Sequence, residues 1–183
     1  QDTLRFFVAN KPNALIVDFF AGSGTTLHAV NLLNAEDGGH RRCILVTNNE
    51  VSADEAKTLS AQGYQPGDPE WEQYGIARYV TWPRTVCSIE GHDVNGKPLK
   101  GDYITSGEEP MHMADGFKAN AAFFKLGFLD KNAVALGRQF KELLPVLWLK
   151  AGAHGPCPSL EEAAEMPAML VLPENHFAVL TNE

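Results

Sequence analysis

Cations are scarce in this sequence: 15 lysines and arginines stand against 23 acidic residues, a formal net charge of −8 over 183 residues. A protein that grips nucleic acid through phosphates displays a basic surface, so this chain is not expected to hold DNA tightly alone. Cysteine is scarce too. Cys43, Cys87 and Cys157 are far apart and odd in number, which excludes a disulfide framework or a spaced metal site and points to a reducing cytoplasm. Long apolar runs are missing. The longest, 14–21 and 143–149, fall well short of the roughly 20 residues of a membrane span. Nor does the amino terminus read as a signal peptide, since Arg5 is the only nearby cation and Lys11-Pro12-Asn13 interrupts the apolar stretch. His92, His112, His154 and His176 make no ligand spacing, so no metal is expected, and His28, one turn into the first predicted helix, reads as structural.

What is present is the composition of a globular domain, 44% hydrophobic and 21% charged. Leu15-Ile16-Val17, closed by Asp18, reads as a buried strand, followed by a glycine turn and a helix over Thr25 to Leu33. Cys43 to Val46 reads as a second strand. Ser52 caps a helix beginning at Ala53, with Glu55 at the capping-box position. Strand, helix, strand, helix in this order predicts an α/β fold with a parallel, doubly wound sheet. Helical spacing continues over Trp71 to Ile89, where Pro83 should kink or divide the helix. Asn95-Gly96 signals a hairpin. A strand is expected within Phe117 to Phe128, helices over Lys131 to Gly137, Gln139 to Lys150 and Ser159 to Glu165, and strands at Ala168 to Leu172 and Phe177 to Leu180.

The informative segment is Asp18-Phe19-Phe20-Ala21-Gly22-Ser23-Gly24-Thr25-Thr26. A strand, a glycine turn and a helix start bring backbone amides to a ligand at the carboxyl edge of a sheet. Glycine permits the sharp turn and the close approach. A phosphate-binding loop would need Lys after its last Gly, but Thr25 stands there; a dinucleotide fingerprint would need a third Gly where Leu27 stands. S-adenosylmethionine has neither phosphate requirement, and a carboxylate at the strand end suits its cationic, amino-acid-bearing part.

DFFAGSGTT closely resembles the cofactor motif of bacterial β-group DNA N6-adenine and N4-cytosine methyltransferases, especially modification subunits of type III restriction systems. The resemblance extends to RRCILVTNNE, to Gly75-Ile76-Ala77-Arg78 with Arg84 and Ile89-Glu90-Gly91, and to Gly116-Phe117-Lys118 through Leu126. It implies a partial Rossmann-like fold with S-adenosylmethionine as cofactor. Asp18, Phe19, Phe20, Ala21, Gly22, Ser23 and Gly24 would line the methionine part, with Thr25 and Thr26 opening the helix beside it. Glu50, or next Asn48, would reach the ribose; a solvated loop carboxylate is the competing reading of Glu50. Arg41 and Arg42 read as a solvated strand entrance rather than a DNA patch, and Trp71, Trp82 and Trp148 as packing rather than base platforms.

The family carries an Asp/Asn-Pro-Pro-aromatic tetrapeptide that holds the flipped base, yet no Pro-Pro occurs here, and Asp68-Pro69-Glu70-Trp71 lacks the second proline. No catalytic residue is therefore named. Beginning at Gln1, the sequence is expected to be the C-terminal, cofactor-binding part of a longer protein. Residues 1–150 are read as a partial methyltransferase domain and 151–183 as an appendage. DNA, a restriction subunit or a second copy are the expected partners of the intact protein. A noncatalytic methyltransferase-like module and an RNA or small-molecule methyltransferase stand as alternatives.

Overall fold

The computed structural model describes residues 1–105, 110–132, 140–160 and 168–180. The chain packs as two units, Gln1–Phe123 and Phe124–Glu183.

The first unit opens with helix α1 (Asp2–Val8), then β1 (Leu15–Asp18), α2 (Thr25–Asp37) and β2 (Arg42–Leu45). β1 and β2 pair in parallel, Leu15 opposite Arg42 through Asp18 opposite Leu45. A parallel pair cannot be joined by a tight turn, and α2 is the crossover that returns the chain to the start of β2. Ala29, Val30 and Leu33 of α2 are buried, Val30 almost completely. On the sheet, residues alternate between faces, and Leu15, Val17 and Ile44 remain about half exposed on the same side. The expected α/β order is present here as a small parallel sheet with helices alongside.

Arg41 departs from its expected place in solvent. Its side chain is fully buried, although Arg42 beside it is exposed. The guanidinium donates to the carbonyls of Val8 (2.9 and 3.1 Å) and Ala9 (3.1 Å) at the end of α1, and to both carboxylate oxygens of Asp37 (2.9 Å each). The Arg41 backbone is held as well, its amide and carbonyl bonded to the Asn34 side chain at 3.0 and 2.9 Å. A cation at a helix end satisfies carbonyls that have no intrahelical partner.

Beyond β2, helix α3 (Ala53–Ala61) begins as expected: Ser52 Oγ accepts from the Glu55 amide at 3.4 Å and donates to the Glu55 carboxylate at 2.7 Å. The expected Trp71 to Ile89 helix is divided. One turn, α4 (Pro69–Glu72), is followed by a π-helical stretch at Ala77–Thr81 that runs into α5 (Trp82–Glu90). Pro83 lies in the first turn of α5, directly after the π-helical stretch, and its missing amide leaves the turn before it one helical hydrogen bond short, so the irregularity falls there. Asp68, the head of the imperfect tetrapeptide, stands at the N-cap of α4 and accepts from the Gln65 amide at 2.8 Å.

The Asn95-Gly96 hairpin is reduced to a single antiparallel bridge, His92 with Pro98, closed by Asp93 Oδ1 accepting from the Asn95 and Lys97 amides. Short strands β3 (Asp102–Tyr103) and β4 (Met111–His112) pair antiparallel. Phe117 is buried and stacks on Tyr103, ring centroids 4.9 Å apart. The strand expected within Phe117 to Phe128 is not formed; Leu126 and Phe128 are fully exposed. Apolar density alone does not make a strand, which needs a ladder partner, and none of the described strands supplies one.

In the second unit, a 3-10 turn (Phe140–Leu143) leads into α6 (Leu144–Lys150), which buries Leu144 and Trp148. The expected terminal strands form as the antiparallel pair β5 (Met169–Leu172) and β6 (Phe177–Leu180). Asn175, in the connecting turn, donates to the carbonyls of His154 and Pro156, both at 2.7 Å. The expected helices over 131–137 and 159–165 fall mainly outside the described residues. Among the described residues no helix is long and apolar enough to cross a membrane, and no group of three or more metal-ligating side chains converges.

Candidate functional site

The carboxyl ends of β1 and β2 lie side by side, and the candidate residues collect there. The Val46 amide donates to the Asp18 carbonyl (2.8 Å) and the Ala21 amide to the Val46 carbonyl (3.3 Å), which binds the glycine turn to the exit of β2. Asp18 closes the turn on itself. Its Oδ1 accepts from the Phe20 amide at 3.0 Å, and its Oδ2 accepts from the Thr26 hydroxyl at 2.5 Å. One carboxylate therefore ties the strand end to the first turn of α2.

Gly22 and Gly24 both have positive φ, +49° and +78°. They need glycine for different reasons. A Cβ on Gly24 would lie 3.0 Å from the Thr81 methyl, in the buried angle between the turn and the π-helical stretch. A Cβ on Gly22 would meet nothing closer than the Phe20 carbonyl at 3.9 Å, so that side of the turn is open. Ala21 is buried, Ser23 is half-buried, and Thr25 is exposed. Phe19 and Phe20 stand out from the edge, Phe20 at 93% exposure. Ser23 receives Arg84, whose guanidinium donates to the Ser23 hydroxyl at 3.1 Å and carbonyl at 3.3 Å.

At the exit of β2 the side chains continue to alternate. Asn48 and Glu50 are exposed, while Asn49 between them turns inward. Asn49 is fully engaged: its Nδ2 donates to the Glu72 carbonyl (2.6 Å) and carboxylate (3.0 Å), and its Oδ1 accepts from the Ala77 and Arg78 amides at 3.1 and 3.3 Å. Gly75 has no room for a side chain, since a Cβ would sit 2.1 Å from the Asn49 amide group. Sequence reading left Asn49 out. Strand alternation from Leu45 onward was the signal that separates it from Asn48 and Glu50.

Two titratable groups line the turn's surroundings. Burial and the Asp18 carboxylate push the Cys43 thiol up to about 11, so it stays protonated and unreactive at neutral pH. His28, one turn into α2, is held below the usual imidazole range by burial and then by the Arg84 charge. Its ring meets Tyr103 and Phe117 edge-on at 5.2 and 5.3 Å, an aromatic cradle that favours the neutral form.

Chemically, an open glycine turn beside exposed amide and carboxylate side chains can receive an elongated polar ligand along the sheet edge. No established family profile matches the chain. Individual proteins do. It is 46% identical over 161 positions to the type III restriction-modification enzyme StyLTI Mod subunit of Salmonella typhimurium, covering 78% of this chain and 24% of that protein. It is 64% identical over 39 residues to the type II methyltransferase M.KpnI of Klebsiella pneumoniae, covering 21% of this chain and 9% of that protein. A third match, 41% over 58 residues, is to the type III restriction-modification enzyme EcoPI Mod subunit of Escherichia phage P1, covering 32% of this chain and 9% of that protein. The chain thus spans from a tenth to a quarter of the length of these relatives.

Proposed function

We propose that this chain, a relative of the modification methyltransferases of type II and type III restriction systems, forms the S-adenosylmethionine-binding part of a DNA amino-methyltransferase. The observation that carries the reading is the turn from Asp18 to Thr26: two positive-φ glycines, an open approach at Gly22, and a carboxylate that fixes the loop from inside. In this reading the partial Rossmann-like fold is represented by β1, α2 and β2. The backbone from Phe20 to Gly24 faces the methionine part, and exposed Asn48 and Glu50 offer an amide and a carboxylate to ribose hydroxyls. Asp18, engaged with Phe20 and Thr26, acts chiefly by holding the turn in shape. When bound, the cofactor supplies an electrophilic methyl group for an exocyclic base amine, adenine N6 in our preferred assignment. The chain's own residues orient it without a metal or a covalent enzyme intermediate. DNA is the substrate proposed for the intact protein, and a restriction subunit or second copy its partner.

The test is transfer of isotopically labelled methyl by the protein at its native length, offered DNA and RNA separately. Label in DNA, recovered after digestion as N6-methyladenine, is the expected outcome. The 183-residue chain alone is expected to transfer none, since it contains no Pro-Pro dipeptide for the base-holding motif. Label in RNA alone would replace the DNA assignment, and cofactor binding without any transfer at native length would favour a noncatalytic module.

A further inference from the structure

The glycine turn and the exit of β2 are tied to the same short piece of chain, Gly75 to Thr81. At one end, Asn49 accepts from the amides of Ala77 and Arg78, and the Ile76 amide donates to the Glu50 carbonyl at 2.8 Å. At the other end, the buried Thr81 hydroxyl donates to the Gly22 carbonyl at 2.5 Å, while its methyl fills the space that a Gly24 side chain would need. Between them the backbone is π-helical, Ala77–Thr81, a form that is rare and recurs as single turns at functional sites. The π-helical turn thus lies between the Asn49 contacts on the β2 side and the Thr81 contact to Gly22.

We propose that this segment is a brace that sets the distance between the two halves of the cofactor site, with Thr81 and Asn49 as its positioning residues. The proposal rests on the cofactor reading above and adds to it the group that fixes the Gly22 peptide. With its carbonyl held by Thr81, the Gly22 peptide plane is restrained, so the Ser23 amide, trans across the same planar bond, is directed away from Thr81. Asn49 holds the exposed pair Asn48 and Glu50 on the facing edge. Pre-set groups lose less freedom when a ligand arrives, so a brace raises affinity without touching the ligand.

The experiment is a titration of S-adenosylmethionine into the 183-residue chain, followed through the backbone amide resonances of Gly22 to Thr26 and Asn48 to Glu50. Wild type is expected to shift both groups with one shared dissociation constant. Thr81→Val keeps the shape and removes the hydroxyl; loss of one well-made hydrogen bond should weaken binding about tenfold. Thr81→Ser restores the donor and should return affinity to within about twofold, an effect below half a hydrogen bond. Ser88→Ala is the control. Ser88 is similarly buried and its hydroxyl donates to the Thr85 carbonyl within α5, away from Thr81 and the glycine turn, so it should lower stability and leave affinity alone. Should Thr81→Val not fold, Asn49→Ser shortens the anchor from the other end and should weaken binding with Thr81 intact. Wild-type affinity in either folded variant would overturn the brace while leaving the cofactor reading in place. Absence of any shift in wild type would overturn both.

Discussion

Arg41→Met is expected to cost the chain about 1–3 kcal/mol, the range for acceptors that lose their donor. The reason lies in the carbonyls more than in the ion pair. Asp37 is 42% exposed, and a pair open to solvent on one side contributes little. The Val8 and Ala9 carbonyls, by contrast, end a helix of only seven residues that has little stability of its own. Removing the guanidinium takes its donors from the Ala9 carbonyl and leaves the Val8 carbonyl only the Lys11 amide at 3.0 Å, which loosens the end of α1. Against a typical total of roughly 5–15 kcal/mol, the expected loss is a substantial fraction. Denaturant unfolding of Arg41→Met and Arg42→Ala checks it, because exposed Arg42 should change stability by no more than about 0.5 kcal/mol. Equal losses in the two variants would contradict the role given to the Arg41 contacts with the end of α1. The pH dependence adds a second reading. The Arg41 hydrogen bond holds the Asp37 carboxyl below the usual carboxylate range. Its contribution is therefore complete above the ordinary carboxylate pKa and is lost as pH falls through the lowered folded value. Arg41→Met should lose that acid-sensitive increment.

The two turn glycines should separate folding from binding. Gly24→Ala forces a side chain into a left-handed conformation, about 1–2 kcal/mol, and drives its Cβ to 3.0 Å from the Thr81 methyl. Overpacking of that kind adds about 1–3 kcal/mol, because Thr81 is fixed by its bonds to Gly22 and Ile76. Both stability and S-adenosylmethionine affinity should fall. Gly22→Ala carries the conformational cost alone, since its Cβ projects into open space. It should melt only a few degrees early yet bind at least tenfold more weakly, about 1.4 kcal/mol, because the new methyl stands where the ligand approaches. Thermal melts and titrations of both variants decide this. If Gly22→Ala bound as wild type does, the ligand would not approach on that side.

Residues that act through neighbours in sequence were legible; residues that act across the fold were not. Asp18 to Thr26 could be read because strand, glycine turn and helix start are local events, and the Ser52 cap is similarly local. The parallel pairing followed from the order of elements. Arg41 was misread as solvated because a lone cation at a strand entrance looks like surface; its partners Val8, Ala9 and Asn34 come from two other elements. Asn49 was passed over for the same reason, since its bonds reach more than twenty residues along the chain to Glu72 and Ala77. Pro83 marked an irregular helix correctly, but a proline cannot say that the irregularity is a π-helical turn on its amino-terminal side. Phe117 to Phe128 has the apolar density of a strand without a ladder partner, and a pairing partner is not visible in local sequence.

The central claim is that S-adenosylmethionine binds at the glycine turn, and calorimetric titration of the cofactor into the chain and its Asp18→Ala variant tests it most directly. Asp18 holds the turn by two hydrogen bonds, so the expected result is weak, saturable binding by wild type that disappears when the carboxylate is removed. Binding of equal strength in Asp18→Ala would put the cofactor elsewhere and contradict the claim, as would a wild-type chain that takes up none at millimolar concentration.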